Sequence, residues 1–306
     1  MIIMRALITG IDGFVGRYLA AELSAHGAEV FGTTVGSDHD HVRHIELTDP
    51  DSVRRVVSEL HPDQVYHLAG FTSVKASWDQ TELAMRVNRD GTKNLYAALQ
   101  NLDVKPRVLI TSTAEVYGIP TSTPITESHP TTPNSPYAES KLAQERVTGE
   151  FPEVPTTIVR SFPHIGPGQS PTFVTSDFAR QIVQVERGQA SAVHVGNLEA
   201  RRDFSDVRDV VRAYRLLMEK DTAGQIYNVC SGNVLSIRQV LDALLAASTN
   251  KEILVESDPD RLRPSDIPVL AGDSTKLRST TGWRPEISVA QTTLPEILAY
   301  WREKQA

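Results

Sequence analysis

The chain has 306 residues, 40% of them apolar, and a formal charge of −7, enough for one large domain or two modest ones. An acidic balance with no basic patch argues against nucleic acid or an anionic membrane as the main partner, and no window approaches the ~20 consecutive apolar residues of a membrane span. The N-terminus runs into a strand-like segment rather than a signal peptide. The single cysteine, Cys230, makes neither an internal disulfide nor a thiol metal cluster, so a reducing cytoplasm is the expected compartment.

Taken in chain order, Arg5 to Thr9 is a short apolar strand ending at Gly10. Phe14 to His26 has helical spacing and stops at Gly27, and Val30 to Thr33 is the next strand. A helix over Ser52 to Leu60 is ended by Pro62, a strand follows at Val65 to Leu68, and Glu82 to Asn101 is one long helix. Val108 to Thr111 is a strand, Tyr137 to Glu150 a helix and Thr156 to Val159 a strand. Short apolar strands alternating with helices predict an α/β fold, a doubly wound parallel sheet of the Rossmann type covered on both faces. The stretch from Pro120 to Pro136 cannot be regular structure.

Near Pro163 the character changes, with Pro163, Pro167, Gly168 and Pro171 breaking regular structure. Helices at Phe173 to Arg187, Val207 to Lys220 and Ile237 to Ala247 surround one more buried strand, Gln225 to Cys230. The expected division is a dinucleotide-binding domain at 1–162 with a returning segment at about 203–230. A smaller, interleaved substrate-binding part takes 163–202 and 231–306.

Gly10, Gly13 and Gly16 lie between the first strand and the first helix. Glycine lets the backbone approach a pyrophosphate, and the helix N-terminus offers free N–H groups and a positive dipole. In the first strand–helix unit this pattern is a strong dinucleotide signal. The second strand ends Thr33-Thr34-Val35, with neither the acid that favours NAD nor the arginine that favours NADP. Ser37, Arg17 and Arg43 are the candidates for a 2′-phosphate, and NADP or NAD stays open. Further along, Tyr137 and Lys141 are spaced Y-x-x-x-K, one turn apart on one helix face. An ammonium there is expected to lower the phenol's pKa from its usual ~10 and make it an acid or base near neutral pH. A hydroxyl from Thr111 to Gly118 would polarise the substrate oxygen.

These segments resemble the extended short-chain dehydrogenase/reductases that act on nucleotide sugars. The carriers are T-G-x-x-G-F-V-G (Thr9 to Gly16), P-D-x-V-x-H-L-A (Pro62 to Ala69), N-x-x-G-T (Asn88 to Thr92), S-T-A-E-V-Y-G (Ser112 to Gly118) and Y-x-x-x-K. Ser73 to Lys75, His164 to Gln169, Phe173-Val174, Val195 to Glu199, Arg202 to Asp206, Tyr227 to Gly232, Leu262 to Ser265 and Thr281 to Trp283 are similar to the GDP-4-dehydro-6-deoxy-D-mannose reductase branch, which makes GDP-D-rhamnose. The resemblance implies a catalytic Thr113, Tyr137 and Lys141, with Lys141 also holding the nicotinamide ribose. It implies a cofactor held by Gly10, Gly13, Phe14, Val15 and Gly16, by Thr33, by Glu46 and Leu47 at the adenine, and by Leu68, Ala69 and Gly70. It places Lys75, Ala114, Glu115, Arg202 and Arg263 at the substrate, the two arginines being suited to fork onto a diphosphate. A homodimer through the helices at Glu82 to Asn101 and Tyr137 to Glu150 is part of the same expectation.

Two positions depart from the pattern. The branch reads F-N-H-I-G-P-G-Q, whereas here Pro163 replaces the asparagine and has neither a side-chain donor nor an N–H. Related 4,6-dehydratases read Thr-Asp-Glu or Thr-Ser-Glu where this chain has Thr113-Ala114-Glu115. In the aspartate version the middle residue protonates the leaving hydroxyl, which alanine cannot do, so dehydration is disfavoured. The expected function is NAD(P)H-dependent reduction of the C4 ketone of a nucleotide-linked, GDP-type 4-keto-6-deoxy sugar. The alternatives are a nucleotide-sugar 4-epimerase that keeps its NAD and a non-catalytic dinucleotide-binding protein. His39, His41 and His44 beside Asp38 and Asp40 form a polar loop, and no metal site is expected there for want of fixed geometry. Trp78, Trp283 and Trp301 are expected to pack in the core or at its edge.

Overall fold

Along Arg5–Thr9 (β1) alternate side chains face opposite sides, and each side belongs to a different core. The computed structural model describes residues 3–262 and 267–304. After β1 come Phe14–Ala25 (α1), Glu29–Thr34 (β2), Val42–His44 (β3), Pro50–Leu60 (α2) and Gln64–His67 (β4). Val74–Ser77 (α3), Thr81–Met85 (α4), Gly91–Leu99 (α5), Arg107–Thr113 (β5), Pro136–Val147 (α6) and Thr156–Ser161 (β6) follow. The remainder comprises His164–Ile165 (β7), Val174–Glu186 (α7), Ala192–Val195 (β8), Arg201–Asp203 (β9), Ser205–Asp206 (β10), Val207–Met218 (α8), Ile226–Val229 (β11), Val234–Ser236 (β12), Ile237–Ala246 (α9), Leu254–Ser257 (β13), Val269–Leu270 (β14), Thr275–Thr281 (α10) and Leu294–Lys304 (α11).

Seven strands form one sheet in the order β11-β6-β5-β4-β1-β2-β3. Every neighbouring pair in it is parallel, as the alternation of strand and helix predicts. Leu7, Val65, Val108 and Ile110 pack on one face against Val53, Val56 and Val57 of α2 and Leu95 and Leu99 of α5. Ala6, Ile8, Tyr66, Leu109 and Val159 face the other side, against Leu19 and Leu23 of α1 and the Val207–Met218 helix. A third cluster joins α7, α9 and α11 through Phe178, Ile182, Leu241, Leu244, Leu298 and Trp301. The small sheets β12-β9-β14 and β13-β8 belong to this C-terminal half.

The long helix expected over Glu82 to Asn101 is interrupted. α4 passes into a π-helical turn at Arg86–Asp90 before α5 resumes. Asn88, in that turn, is buried and bonds sideways to other elements, which holds the widened turn in place. The region from Pro120 to Pro136 is irregular apart from a bridge between Ile125 and Gly272. Trp283 and Trp301 are buried, each with its indole N–H bonded, whereas Trp78 is 45% exposed and is not core.

Candidate active site

β1 is flanked by β2 on one side and β4 on the other, so the order in which strands are added reverses beside it and opens a crevice at Gly10. Gly10 has φ +73, and a Cβ there would lie 3.1 Å from the Cα of Ala69, beyond β4. A Cβ on Gly13 would lie 3.0 Å, and one on Gly16 2.4 Å, from the Gly10 carbonyl oxygen. The start of α1 at Gly13 carries no side-chain cap and no acidic residue in its first turn. Its free N–H groups and open backbone make an anion cradle that any larger residue would fill, which fits a dinucleotide pyrophosphate. The Phe14 ring stacks on His164, with centroids 6.3 Å apart, and the Tyr18 hydroxyl donates to the Pro167 carbonyl at 2.8 Å. The cradle therefore abuts the segment that follows β6.

Behind the cradle runs a buried hydrogen-bond chain. Thr9 Oγ1 accepts from the amides of Leu68 and Ala69, at 3.1 and 3.0 Å. Its own proton then goes to His67 Nδ1, 2.8 Å away, so His67 Nε2 donates to Thr92 Oγ1 at 2.9 Å. Gln144 on α6 donates to the same Thr92 oxygen at 3.1 Å. Burial, with Lys141 nearby, pulls the His67 imidazole down to about 3 and keeps it neutral. Asn88 exchanges bonds with the Phe71 backbone and donates to Ser140 at 2.8 Å. It also abuts Gly70, where a Cβ would lie 2.6 Å from Asn88 Oδ1.

α6 begins with Ser135 capping the Ala138 amide and Pro136 in the first turn. The Tyr137 amide donates to Ser77 Oγ at 3.1 Å. The phenol of Tyr137 meets the hydroxyl of Thr113, the last residue of β5. Lys141 is buried one turn on, its Nζ 3.9 Å from where a Gly70 Cβ would stand. Tyr137, Thr113 and Lys141 thus converge at the carboxyl ends of β4 and β5.

The electrostatics correct one expectation. Burial, reinforced by Glu115, pushes the Tyr137 phenol above its ordinary value, and the Thr113 hydrogen bond only partly opposes this. Burial likewise pulls the Lys141 ammonium down to about 7, against the opposing pull of Glu145. Spacing shows that the two side chains are neighbours, but desolvation outweighs the help an ammonium gives a phenolate. At neutral pH the phenol is protonated.

The other expected residues are placed as follows. Ala114 is buried and Glu115 half-buried in the 3₁₀ turn after Thr113. Thr33 is buried at the end of β2 and its hydroxyl has no partner among the described residues. The Glu46 carboxylate accepts from the Thr48 amide and hydroxyl, which holds it below the usual carboxylate range, while Leu47 is core. Arg43 pairs with Glu59 at 2.7 Å, and Arg17 and Ser37 are exposed. Lys75 is exposed on α3, and Arg202 donates to the Ile267 carbonyl at 2.6 Å. Arg263 lies outside the described residues. The Pro163 carbonyl accepts from the Ser205 amide at 3.0 Å. His44 donates its amide to Asp38 at 2.5 Å, and among the described residues no group of three or more His, Cys, Asp or Glu is placed to hold a metal. His67, Ser77, Asn88 and Glu145 are additions; only His67 and Asn88 stand inside recognisable motifs.

A profile of the GDP-mannose 4,6 dehydratase family matches residues 7–294. The GDP-6-deoxy-D-mannose reductase of Pseudomonas aeruginosa is 37% identical over 98% of both chains. A GDP-mannose 4,6-dehydratase of Vibrio cholerae is 28% identical, over 94% of this chain and 91% of its own. Among solved structures, that of RMD from Pseudomonas aeruginosa complexed with NADPH superposes with a TM-score of 0.88 and 35% identity, covering 98% of this chain and 99% of that one. The UDP-glucose 4-epimerase of Thermus thermophilus in complex with NAD has a TM-score of 0.86 and 28% identity, with coverage of 98% and 99%.

Proposed function

The chain belongs to the GDP-mannose 4,6 dehydratase family, and from that premise we propose that it is an NAD(P)H-dependent ketoreductase acting on a GDP-linked 4-keto-6-deoxy sugar, with GDP-4-dehydro-6-deoxy-D-mannose as substrate and GDP-D-rhamnose as product. The observation that carries the reading is the meeting of Tyr137, Thr113 and Lys141 beside a glycine cradle, with Ala114 standing where related dehydratases carry aspartate or serine. The similarity to the Pseudomonas reductase over nearly all of both chains supports it.

The reduced nicotinamide, when bound, supplies the hydride. Gly10, Gly13 and Gly16, with the amides of Phe14 and Val15, hold the pyrophosphate. Thr33, Glu46 and Leu47 border the adenosine, and Leu68, Ala69 and Gly70 line the crevice. Thr33 to Val35 offers neither a carboxylate for a ribose 2′-OH nor an arginine for a 2′-phosphate, and the NADPH complex of the similar Pseudomonas structure supports NADPH as the cofactor. Tyr137, protonated at neutral pH, gives its proton to the C4 oxygen, which Thr113 orients. Lys141 holds the nicotinamide ribose. Glu115 faces the sugar, Ala114 being fully buried in an apolar cluster, and Lys75, Arg202 and Arg263 take the nucleotide end. A homodimer through α4, α5 and α6, in the cytoplasm, completes the proposal. Loss of the reduced-nicotinamide absorbance on mixing with the ketosugar nucleotide supports it; a purified protein with tightly held NAD and no net consumption would indicate an epimerase instead. Sedimentation at a monomer's mass would remove the dimer.

A further inference from the structure

A row of three buried polar side chains crosses the sheet beside the triad. Ser112 on β5 is the register partner of Arg160 on β6, and Arg160 that of Asn228 on β11. Register partners project to the same face of a sheet, so the three stand side by side. Glu145 reaches them from α6, one turn beyond Lys141. Its Oε1 accepts from Ser112 Oγ at 2.5 Å and from Arg160 Nε at 2.9 Å, and its Oε2 accepts from Arg160 Nη2 at 2.7 Å. The Arg160 guanidinium lies 4.8 Å over the Tyr117 ring, and the Tyr117 hydroxyl donates to Asn228 Oδ1 at 2.8 Å. Asn228 in turn donates to the Ile125 carbonyl at 2.9 Å and, through its amide, to Glu127 at 2.8 Å.

The row therefore grips the helix that carries Tyr137 and Lys141, the turn that follows Thr113, and the proline-rich loop. Ser112 immediately precedes Thr113, so the bond from Glu145 fixes α6 against the strand residue next to its catalytic partner. We propose that Glu145, clamped by Ser112 and Arg160, is a positioning residue for proton transfer: it sets the register of α6 on β5 and so holds Tyr137 and Lys141 in place beside Thr113. This rests on the reading of Lys141 as the amine of the triad.

Stability alone does not call for such a device. An apolar pair of similar volume commonly serves a core as well as a buried ion pair.

The test uses the full chain. Because Glu145→Gln alone leaves Arg160 buried and unpaired, the informative variant is the pair Glu145→Leu with Arg160→Met. The expected result is a folded protein whose kcat drops ~10- to 100-fold while KM for NADPH stays near the wild-type value. A folded paired variant with wild-type kcat overturns the proposal. Should the pair not fold, Ser112→Ala decides, since it keeps both charges and removes one clamp. A loss of about three- to tenfold in kcat is expected, and an unchanged kcat overturns the proposal. If the wild type reduces no ketosugar, the functional reading fails, and hydrogen exchange of the α6 amides, which needs no substrate, still decides this one: faster exchange in the paired variant is expected, and wild-type exchange overturns it.

Discussion

The backbone amide of Tyr137 donates to the hydroxyl of Ser77 at 3.1 Å, and that hydroxyl donates in turn to the Val74 carbonyl at 2.7 Å. The helix that carries the phenol thus starts against a four-residue helix, α3, rather than in solvent. Ser77→Ala removes the side chain that satisfies this first-turn amide. Stability should fall by ~1–3 kcal/mol, and kcat by about tenfold through a loosened Tyr137, with NADPH affinity little changed. Thermal melts, steady-state kinetics and calorimetric titration with NADPH check the three parts.

The cradle makes a prediction that needs no turnover. A Cβ on Gly16 would stand 2.4 Å from the Gly10 carbonyl oxygen, whereas one on Gly149 would meet nothing within 4 Å. Gly16→Ala must therefore shift the loop, and NADPH affinity measured by calorimetry should fall ~10- to 100-fold, equivalent to about 1.4–2.7 kcal/mol. Gly149→Ala should bind as the wild type does.

His67 predicts part of the acid sensitivity of the fold. Its folded value is about 3, against an ordinary 6.5, so between these values the unfolded chain binds the proton and the folded one does not. Stability from the neutral ring is complete above pH 6.5 and is lost as pH falls through 3. His67→Gln has no such titration, and its acid unfolding curve, followed by circular dichroism, should be less steep over that window.

Lys141 has the same sign at higher pH. Its folded value of about 7 lies below the ordinary 10.5, so stability rises with pH between the two. Lys141→Met should raise the melting temperature most below pH 7, by a few degrees, and the gain should shrink towards pH 10.5. Melts across that range check it.

What could be read from the sequence follows from what leaves a local pattern. β1, α1, β2, β5, α6 and α8 carry apolar periodicity and start or stop signals, and their spans fall within a few residues of those expected. β3 and the paired strands β7 and β10 are two or three residues long, too short for a period to register. The π-helical turn at Arg86–Asp90 depends on what Asn88 bonds across the fold, and the surrounding helical pattern hides it.

The site divides the same way. Glycine spacing and Y-x-x-x-K are local, so Gly10, Gly16, Tyr137 and Lys141 are legible. The Glu145 clamp joins residues 33 and 15 positions apart, and each reads locally as an ordinary strand or helix residue. The direction of the Tyr137 shift escapes the sequence for a related reason: spacing reports adjacency, whereas the shift is set by burial, which only the assembled fold fixes.

The central claim is tested most directly by following deuterium from NADPH labelled at its transferring carbon, mixed with GDP-4-keto-6-deoxymannose and the wild-type protein. The account predicts one deuterium at sugar C4 for each cofactor oxidised, and a rate at least ~100-fold lower in a Tyr137→Phe variant that still binds NADPH. No label at C4, or unlabelled sugar inverted at C4 with the cofactor recovered unoxidised, would contradict it.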